Sequence, residues 1–595
     1  MADAATTSSG PAIRSLRIEY FRGIEHLEWK PAAGLNLIVG PGDSCKSTVL
    51  EAISLLFSPA PNFGITEFDY FNRVTASGFL IEAVLAIGDE SILKGDKFPL
   101  PPVQGWLNNQ LVDLPDENGA EPVLRCRLTG NPELETTYEV VAADEETRTP
   151  FSRALRQRIG TMRLGIGDRG DRDLRLVYGG ALDRFMQGQE LRQSLLQAVL
   201  KTPIHDQLGD DPKKALGQVE AQFKKKSLPH PLRLGLVGTP GVSLAASVGL
   251  TVGTDDQSAL PLTAWGTGTR RLASLELAAL VVDRKSIAIV DEPEAGLEPY
   301  RQRVFIQDLN EGANRQSFVS THAPAVLSAA ADQDAVTWRI NESPPPTVKE
   351  EKEPVAAPEP SHLMQPLRGK EITTFISSQP ETILARLPVI CEGATEQGFA
   401  TRILQEKFGR PFAARGLFCA DAGGHDKALP ICKQLIDAGF MLATVVDDEG
   451  RKSGSWDAIG KRAILLRWDN GAHLEIAILS ALPDETLPTV IHWAQEATGR
   501  DAKHYIAELR QALGVEDKTK SADQLMAESG REAFLKALLL AACPPTEGGK
   551  KPRGWFKSFD GGYVLADRIL AVQPRPVLLA KVDTFLAAIE TATAP

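Results

Sequence analysis

Cysteine is scarce in this chain, which has only six in 595 residues, and no two of them form a Cys-x-x-Cys pair. A zinc ribbon and a disulfide-stapled scaffold are therefore excluded. The sequence also lacks an apolar run of the roughly 18 residues that a membrane helix needs. Its first residues contain no basic segment followed by an apolar one, so no secretory signal is indicated. These absences predict a cytoplasmic, multidomain protein that does not enter a membrane.

Positive charge is also in the minority, since 65 Lys and Arg face 77 Asp and Glu and the formal net charge is −12. This balance disfavours a nucleic-acid coat over the whole surface but allows a local basic channel. The candidate channel residues are Lys213–Lys214, Lys224–Lys226 and Arg270–Arg271. The sequence has no internal repeat and no long heptad tract, so a coiled-coil arm is not expected.

A change in composition divides the chain. Residues 342–366 are rich in Pro, Glu and Lys and nearly free of large apolar side chains, which predicts an extended linker. We assign residues 1–341 to a first domain, with a helical insertion at about 150–235 as a candidate for dimer contacts. Short apolar runs alternate with helical patterns over 367–482, which is typical of a parallel α/β sheet. Residues 483–595 are predicted to be helical, so the fold class is α/β.

A glycine-containing loop, Gly-Pro-Gly-Asp-Ser-Cys-Lys-Ser-Thr, follows an apolar strand and precedes a helical run. It matches the phosphate-loop pattern G-x-x-x-x-G-K-[ST], except that Cys45 replaces the second glycine. We expect backbone N–H groups at the helix N-terminus to hold the phosphates of ATP, Lys46 to reach the β- and γ-phosphates, and Ser47 to bind Mg²⁺. The predicted nucleotide-binding residues of the loop are Gly40, Gly42, Cys45, Lys46, Ser47 and Thr48.

A second nucleotide motif lies at the end of the apolar run Ile287–Val290, where two acids follow directly. Asp291 is expected to hold Mg²⁺ through water, and Glu292 to polarise the water that attacks ATP. His322 follows another apolar run and is predicted to touch the γ-phosphate.

These motifs, together with Phe21-Arg22-Gly23 and the Trp-Gly-Thr-Gly-Thr-Arg-Arg segment at 265–271, resemble the ABC-type ATPase head of RecF and SMC-like proteins. The resemblance covers about 12–340. It implies that the segment at 265–271 acts across a homodimer or a higher homo-oligomer, on the ATP of the partner.

Acids also follow two apolar runs of the second half. Glu392 comes after one run, with Glu396 four residues further on, and Asp447 and Glu449 come after the other. Because the carboxyl ends of parallel strands meet at one edge, these acids are expected to cluster and to require a divalent cation, Mg²⁺ or Mn²⁺. Two such ions about 4 Å apart can clamp the attacking and leaving oxygens of a phosphodiester. The predicted metal ligands are Glu392, Glu396, Asp447, Glu449, Glu475 and, in the phosphate loop, Ser47.

A glutamate after one strand and an Asp-x-Glu after a later one resemble the Toprim fold, which implies metal-dependent cleavage or joining of nucleic-acid backbones. An ABC-type head followed by Toprim resembles the layout of the OLD-family (overcoming lysogenization defect) nucleases, which include the Gabija nuclease subunit. That resemblance implies a catalytic C-terminal lysine, for which Lys557 is the first candidate and Lys551 the second. It also implies a helicase-like partner subunit.

The predicted function is an ATP-regulated, divalent-metal-dependent DNA endonuclease, with a role in anti-phage defence that rests on the resemblance alone. Its catalytic residues would be Glu392, Asp447 and Lys557 in the nuclease part, and Glu292 and His322 in the ATPase part. The alternative is an ATP-gated DNA-binding or repair scaffold whose Toprim domain is inactive. A Toprim topoisomerase is disfavoured, because no tyrosine-bearing cleavage domain and no zinc ribbon is recognised.

Overall fold

The structure is a computed structural model, and it divides the chain into two compact units, Met1–Pro366 and Leu367–Pro595. Two predicted site residues, Glu449 and Lys551, lie outside the residues that it describes. The described residues are all those except 1–9, 59–63, 89, 94–99, 114–118, 165–172, 178–180, 187–204, 207, 237–247, 255–257, 282–286, 312–315, 334, 343–360, 449–452, 469–470, 545–553 and 595.

The first unit contains both strands and helices. Its strands are β1 (Ala12–Phe21), β2 (Ile24–Trp29), β3 (Leu35–Val39), β4 (Phe79–Ala86), β5 (Gln104–Leu107), β6 (Gln110–Val112), β7 (Glu121–Gly130), β8 (Thr136–Val141), β9 (Arg148–Pro150), β10 (Thr161–Leu164), β11 (Leu232–Leu236), β12 (Val248–Val252), β13 (Leu260–Pro261), β14 (Ile287–Asp291), β15 (Ser317–Ser320), β16 (Val336–Glu342) and β17 (His362–Leu367). Its helices are α1 (Lys46–Phe57), α2 (Arg153–Ile159), α3 (Ala181–Met186), α4 (Asp210–Lys225), α5 (Thr267–Val281), α6 (Pro299–Glu311) and α7 (Pro324–Ala331).

One mixed sheet organises this unit. In the part of the chain that the structure describes, it contains 14 strands, and its parallel half has the order β10-β14-β15-β3-β16. Every residue of β3 and of β14 is buried, as is usual for parallel strands that are covered on both faces. Because β14, β15 and β3 are neighbours, the segments that leave their carboxyl ends meet at one edge of the sheet.

Two predictions about this unit need correction. The helical insertion predicted over about 150–235 contains α2, α3 and α4, but it also contains the strands β10 and β11. A four-residue strand is too short to show a period, and β10 is held by parallel pairing with β14. The predicted linker, 342–366, ends in β17, which lies between β16 and β2 in the sheet. Apolar side chains return to the sequence there with Leu363 and Met364, while residues 343–360 lie outside the described residues.

The second unit is a parallel sheet with covering helices. Its strands are β18 (Leu387–Cys391), β19 (Leu417–Asp421), β20 (Ala443–Val446) and β21 (Ile464–Arg467). Its helices are α8 (Lys370–Ser378), α9 (Glu381–Leu384), α10 (Ala394–Phe408), α11 (His425–Asp437), α12 (Ser453–Gly460), α13 (Leu474–Ser480), α14 (Val490–Thr498), α15 (Ala502–Leu513), α16 (Ala522–Ala542), α17 (Phe559–Ala571) and α18 (Leu579–Ala592).

The order of these strands creates a crevice. All pairs are parallel, and the order is β19-β18-β20-β21. The chain passes from β18 through α10 to β19 on one side, and then through α11 to β20 on the other side. This reversal between β18 and β20 is the position where open parallel sheets bind their ligands. The apolar runs that predicted these four strands are therefore found in the expected parallel arrangement.

Two glycines join α10 to α17. A Cβ added to Gly398 would collide with the carbonyl oxygen of Phe559, and one added to Gly562 would collide with that of Thr395. The helix backbones thus approach as closely as glycine allows. An ion pair of 2.8 Å between Arg402 and Asp567 joins the same helices. This contact fixes the N-terminus of α17 against the N-terminus of α10.

We expect Gly562→Ala to destabilise the second unit by about 2 kcal/mol, because the new methyl group must push two helix backbones apart. Gly454→Ala in α12 is the matched control, since a Cβ there has nothing within 4 Å. Hydrogen–deuterium exchange of residues 559–571 measures the effect. Equal protection of α17 in both variants would contradict the prediction.

Candidate functional site

The phosphate loop joins β3 to α1. The Lys46 ammonium is buried and donates hydrogen bonds to the carbonyl oxygens of Gly40, at 3.2 Å, and Pro41, at 2.7 Å. Burial lowers the pKa of Lys46, and the carboxylates of Glu292 and Asp291 oppose that shift. The loop therefore encloses its lysine, and both acids of the second nucleotide motif lie close enough to act on that lysine.

The two predicted magnesium ligands of the ATP site meet in the structure. Ser47 donates a hydrogen bond of 3.2 Å to Oδ1 of Asp291, although the two residues are 244 positions apart in sequence. Ser320, at the end of β15, donates to the same oxygen. Asp291 is buried, so its carboxylate is held in one place by two hydroxyl groups.

The segments after β14 and β15 are tied to each other. Glu292 has a left-handed backbone, with a φ of 47°, and its N–H donates to the Ser320 carbonyl oxygen at 3.2 Å. The Glu294 carboxylate accepts a hydrogen bond of 2.6 Å from the His322 N–H. His322 is exposed beside these acids. The structure thus brings Glu292 and His322 to one edge of the sheet.

The segment at 265–271 packs onto the loop that follows β14. A Cβ on Gly268 would collide with the Gly296 carbonyl oxygen. Arg271 donates hydrogen bonds to the carbonyl oxygens of Asp291, at 2.8 Å, and Glu292, at 2.5 Å. Arg271, one of the candidate DNA-channel residues, therefore anchors the acidic strand end. Lys226, another candidate for that channel, forms an ion pair with Asp308.

Cys45 stands where the phosphate-loop pattern has glycine, and its backbone explains why glycine is usual there. Its φ is 66°, in the left-handed region that glycine adopts without strain. The cysteine side chain lies against Gly23, where an added Cβ would come within 2.7 Å of Sγ. Gly23 thus provides the space that the Cys45 side chain occupies, and burial raises the pKa of this thiol.

The acids of the second unit gather at the crevice between β18 and β20. Glu392 follows β18 and Asp447 follows β20, and the Asp447 N–H donates a 3.1 Å hydrogen bond to Oε2 of Glu392. Glu396, in the first turn of α10, and Glu475, in the first turn of α13, complete a group of four buried carboxylates. The structure therefore brings these predicted metal ligands together.

The pKa of Glu396 is strongly raised within this group. Burial, and then the charge of Asp447, raise the pKa of Glu396 to about 8, although Lys557 opposes that shift. Its Oε1 atom is buried and has no hydrogen-bond partner. An unpartnered carboxylate oxygen among other acids is a position that favours a cation.

Lys557 lies in the same group. Its ammonium is 2.8 Å from Oε1 and 3.0 Å from Oε2 of Glu475. Burial alone would lower the pKa of Lys557, but the contact with Glu475 outweighs burial and raises it. The buried side chains of Trp555 and Phe556 anchor this segment, and Thr395 donates a 3.3 Å hydrogen bond to the Phe556 carbonyl oxygen.

Two histidines at this site were not predicted from the sequence. Nδ1 of His425 is 3.2 Å from Oε2 of Glu392, and Nδ1 of His473 is 3.1 Å from Oδ2 of Asp447. His425 follows the Gly423-Gly424 turn after β19, and His473 directly precedes α13. In the sequence, the one signal for these two histidines is their position at or directly before the start of a helix that follows a strand of the sheet.

The donor set fits a hard divalent cation. Within the described ranges, no three His, Cys, Asp or Glu side chains are arranged as they stand to hold a metal ion. The oxygen-rich group with an unpartnered Glu396 atom nevertheless has the chemistry that Mg²⁺ or Mn²⁺ prefers.

A family model described as "AAA domain, putative AbiEii toxin, Type IV TA system" matches residues 142–328. An SMC head bound to the C-winged helix domain of ScpA is 13% identical, with a TM-score of 0.36, over 56% of this chain and 94% of that chain. The SMC head domain from Thermotoga maritima is 15% identical, with a TM-score of 0.28, over 56% and 95%. The RecF–ATP structure is 11% identical, with a TM-score of 0.32, over 56% and 97%. No curated protein sequence matches this chain.

The matched residues include Asp291, Glu292 and His322. The phosphate loop precedes the matched range, but its Ser47 is hydrogen-bonded to Asp291 inside it. The family match and this geometry together support a P-loop ATPase head. In the described part of the chain, no helix combines the length and the apolarity that a membrane crossing requires.

The contact between Cys45 and Gly23 predicts a coupled pair of substitutions. Cys45→Gly should stabilise the unit by about 1 kcal/mol, because a left-handed residue loses its Cβ, and should leave ATP affinity unchanged or higher. Gly23→Ala should destabilise, and Cys45→Gly should rescue it. Thermal unfolding and binding of a fluorescent ATP analogue measure both effects. If Cys45→Gly loses ATP binding, the thiol has a role of its own.

The raised pKa of Glu396 predicts a pH dependence for the metal-free protein. The folded pKa of about 8 exceeds the ordinary 4.5, so stability should fall as pH rises between these values and then level off. Glu396→Gln should remove much of this fall. The control is Glu532→Gln, an exposed residue of α16. The measurement is the melting temperature of each protein at pH 5 and at pH 8.5 in the presence of a chelator. An equal fall in melting temperature in all three proteins would contradict the raised pKa of Glu396.

Proposed function

We propose that this chain is an ATP-regulated DNA endonuclease that depends on Mg²⁺ or Mn²⁺. One observation carries the nuclease part. Four buried carboxylates and a lysine meet at the crevice of a parallel sheet, where burial, and then the charge of Asp447, raise the pKa of Glu396 to about 8. The resemblance to the Toprim fold and to the OLD family supports this function, and its place in anti-phage defence is part of the proposal.

We assign a separate role in cleavage to each charged residue of the crevice. Glu392, Glu396 and Asp447 would hold the divalent cation, with Glu449 as a further proposed ligand. A bound cation would polarise the phosphodiester and supply a hydroxide nucleophile. Lys557 would stabilise the charge that develops on the non-bridging oxygens. Because both oxygens of Glu475 lie within 3.0 Å of Lys557, we assign Glu475 to holding this lysine rather than to the cation.

The ATPase head would control cleavage. Lys46 and Ser47 would bind the triphosphate and its Mg²⁺, and Glu292 would orient the attacking water. We propose that the head is of the ABC type and pairs with a second copy, through the segment at 265–271. DNA would be the substrate of the second unit. A helicase-like partner subunit is proposed from the family resemblance alone.

The second candidate function is an ATP-gated DNA-binding or repair scaffold. The family match ends at residue 328 and does not reach the carboxylate group. Within the described residues, that group is not arranged as it stands to hold a metal ion. A scaffold would bind DNA in response to ATP without cutting it, so a cleavage assay separates the two functions.

We expect the intact protein to cleave a supercoiled plasmid with Mg²⁺ or Mn²⁺, and Glu392→Ala and Asp447→Ala to abolish cleavage. Lys557→Ala should slow single-turnover cleavage about a hundredfold, because one donor to the developing charge is lost. Asp448→Ala is the matched control: its carboxylate accepts from the Gly471 N–H at 3.2 Å and so holds a loop. Lys46→Ala shows whether nucleotide controls cutting.

The outcomes are distinct. Cleavage that survives Glu392→Ala and Asp447→Ala would come from another site or a contaminant and would refute the nuclease. Loss of cleavage in Asp448→Ala with an active Asp447→Ala would move the motif by one residue. A protein that binds DNA with ATP but never cuts would be the scaffold.

A further inference from the structure

Glu392 and Asp447, the acids that follow β18 and β20, are held in the same way. Oε2 of Glu392 accepts from the Asp447 N–H at 3.1 Å and lies 3.2 Å from Nδ1 of His425. Asp447 accepts from the Leu474 N–H at 2.8 Å on Oδ1, and its Oδ2 lies 3.1 Å from Nδ1 of His473. One backbone N–H and one imidazole therefore fix each carboxylate.

The hydrogen bonds determine the tautomers. An ionised carboxylate only accepts, so Nδ1 of each imidazole must carry the proton. In a neutral His425 ring, Nε2 is then an acceptor, and this atom is buried without a hydrogen-bond partner. Leaving a polar atom in that state costs free energy. The His425 ring packs beside Trp456, with 6.0 Å between the two ring centroids, and an apolar residue there would avoid the cost. Packing alone therefore does not account for the imidazole.

The backbone places both rings with little freedom. The Gly424 N–H donates a 2.7 Å hydrogen bond to the Glu392 carbonyl oxygen, and His425 begins α11 immediately afterwards. On the other side, the Asp448 N–H donates to the Ala472 carbonyl oxygen at 3.2 Å, directly before His473. Each histidine is thus attached to the strand end whose acid it contacts.

We propose that His425 and His473 are positioning residues that hold Glu392 and Asp447 in the orientations that bind a divalent cation. The inference rests on the proposed function, because it assigns these acids to the cation. A carboxylate that is already oriented loses less rotational freedom when a cation binds. Hydrogen-bond partners of metal ligands typically change metal affinity by about 10- to 100-fold.

The test is Mn²⁺ affinity of the full chain without nucleotide, measured by titration calorimetry and by the electron paramagnetic resonance of free Mn²⁺. His425→Ala and His473→Ala should each weaken binding about 10- to 100-fold. His425→Asn and His473→Asn should stay much closer to the wild type, because the asparagine amide can donate from the place of Nδ1. The control is His504→Ala, an exposed histidine on α15.

Glu392→Ala identifies the binding that belongs to this site. If the wild type binds Mn²⁺ and Glu392→Ala does not, but both alanine variants bind normally, the positioning role is refuted while the nuclease proposal stands. Asparagine variants as weak as the alanine variants would also refute it, since the shared hydrogen bond would not matter. If Glu392→Ala binds Mn²⁺ like the wild type, the proposed cation site itself fails.

Discussion

The burial of negative charge between β18 and β20 is the constraint on which the second unit depends. A carboxylate taken out of water must keep a proton, find a cation or accept hydrogen bonds, because an uncompensated charge is too costly. All three kinds of compensation occur within this one crevice. Glu475 forms an ion pair with the ammonium of Lys557. Glu392 and Asp447 accept hydrogen bonds from backbone N–H groups and lie beside imidazoles. The pKa of Glu396 is high enough for this side chain to retain a proton near neutral pH.

The ATPase head follows the same geometric rule with different chemistry. Its parallel strands β14, β15 and β3 deliver two acids, a serine and the phosphate loop to one edge. The buried Lys46 carries positive charge there, whereas the crevice of the second unit concentrates negative charge. Each unit thus gathers charged side chains at the carboxyl ends of parallel strands.

The sequence predicted those features that depend on neighbours along the chain. Apolar runs marked the four strands of the second unit, and acids after two of them marked the site. It did not predict β10, because four residues acquire their strand character from pairing with β14. It also missed His425 and His473, since a single histidine in a sequence does not show which carboxylate it will meet. The pairing of Glu475 with Lys557, 82 positions apart, likewise depends on the fold.

The contact between Gly398 and α17 has a consequence for the order of assembly. Domains fold largely in the order of their synthesis, and the acids of β18, α10 and β20 leave the ribosome well before Lys557. Thr395 and Phe556, which are hydrogen-bonded, are 161 positions apart. The Lys557 ammonium therefore joins these acids only when the segment that carries it has docked, so a nascent polypeptide carries the acidic crevice in an incomplete form until residue 557 has been synthesised.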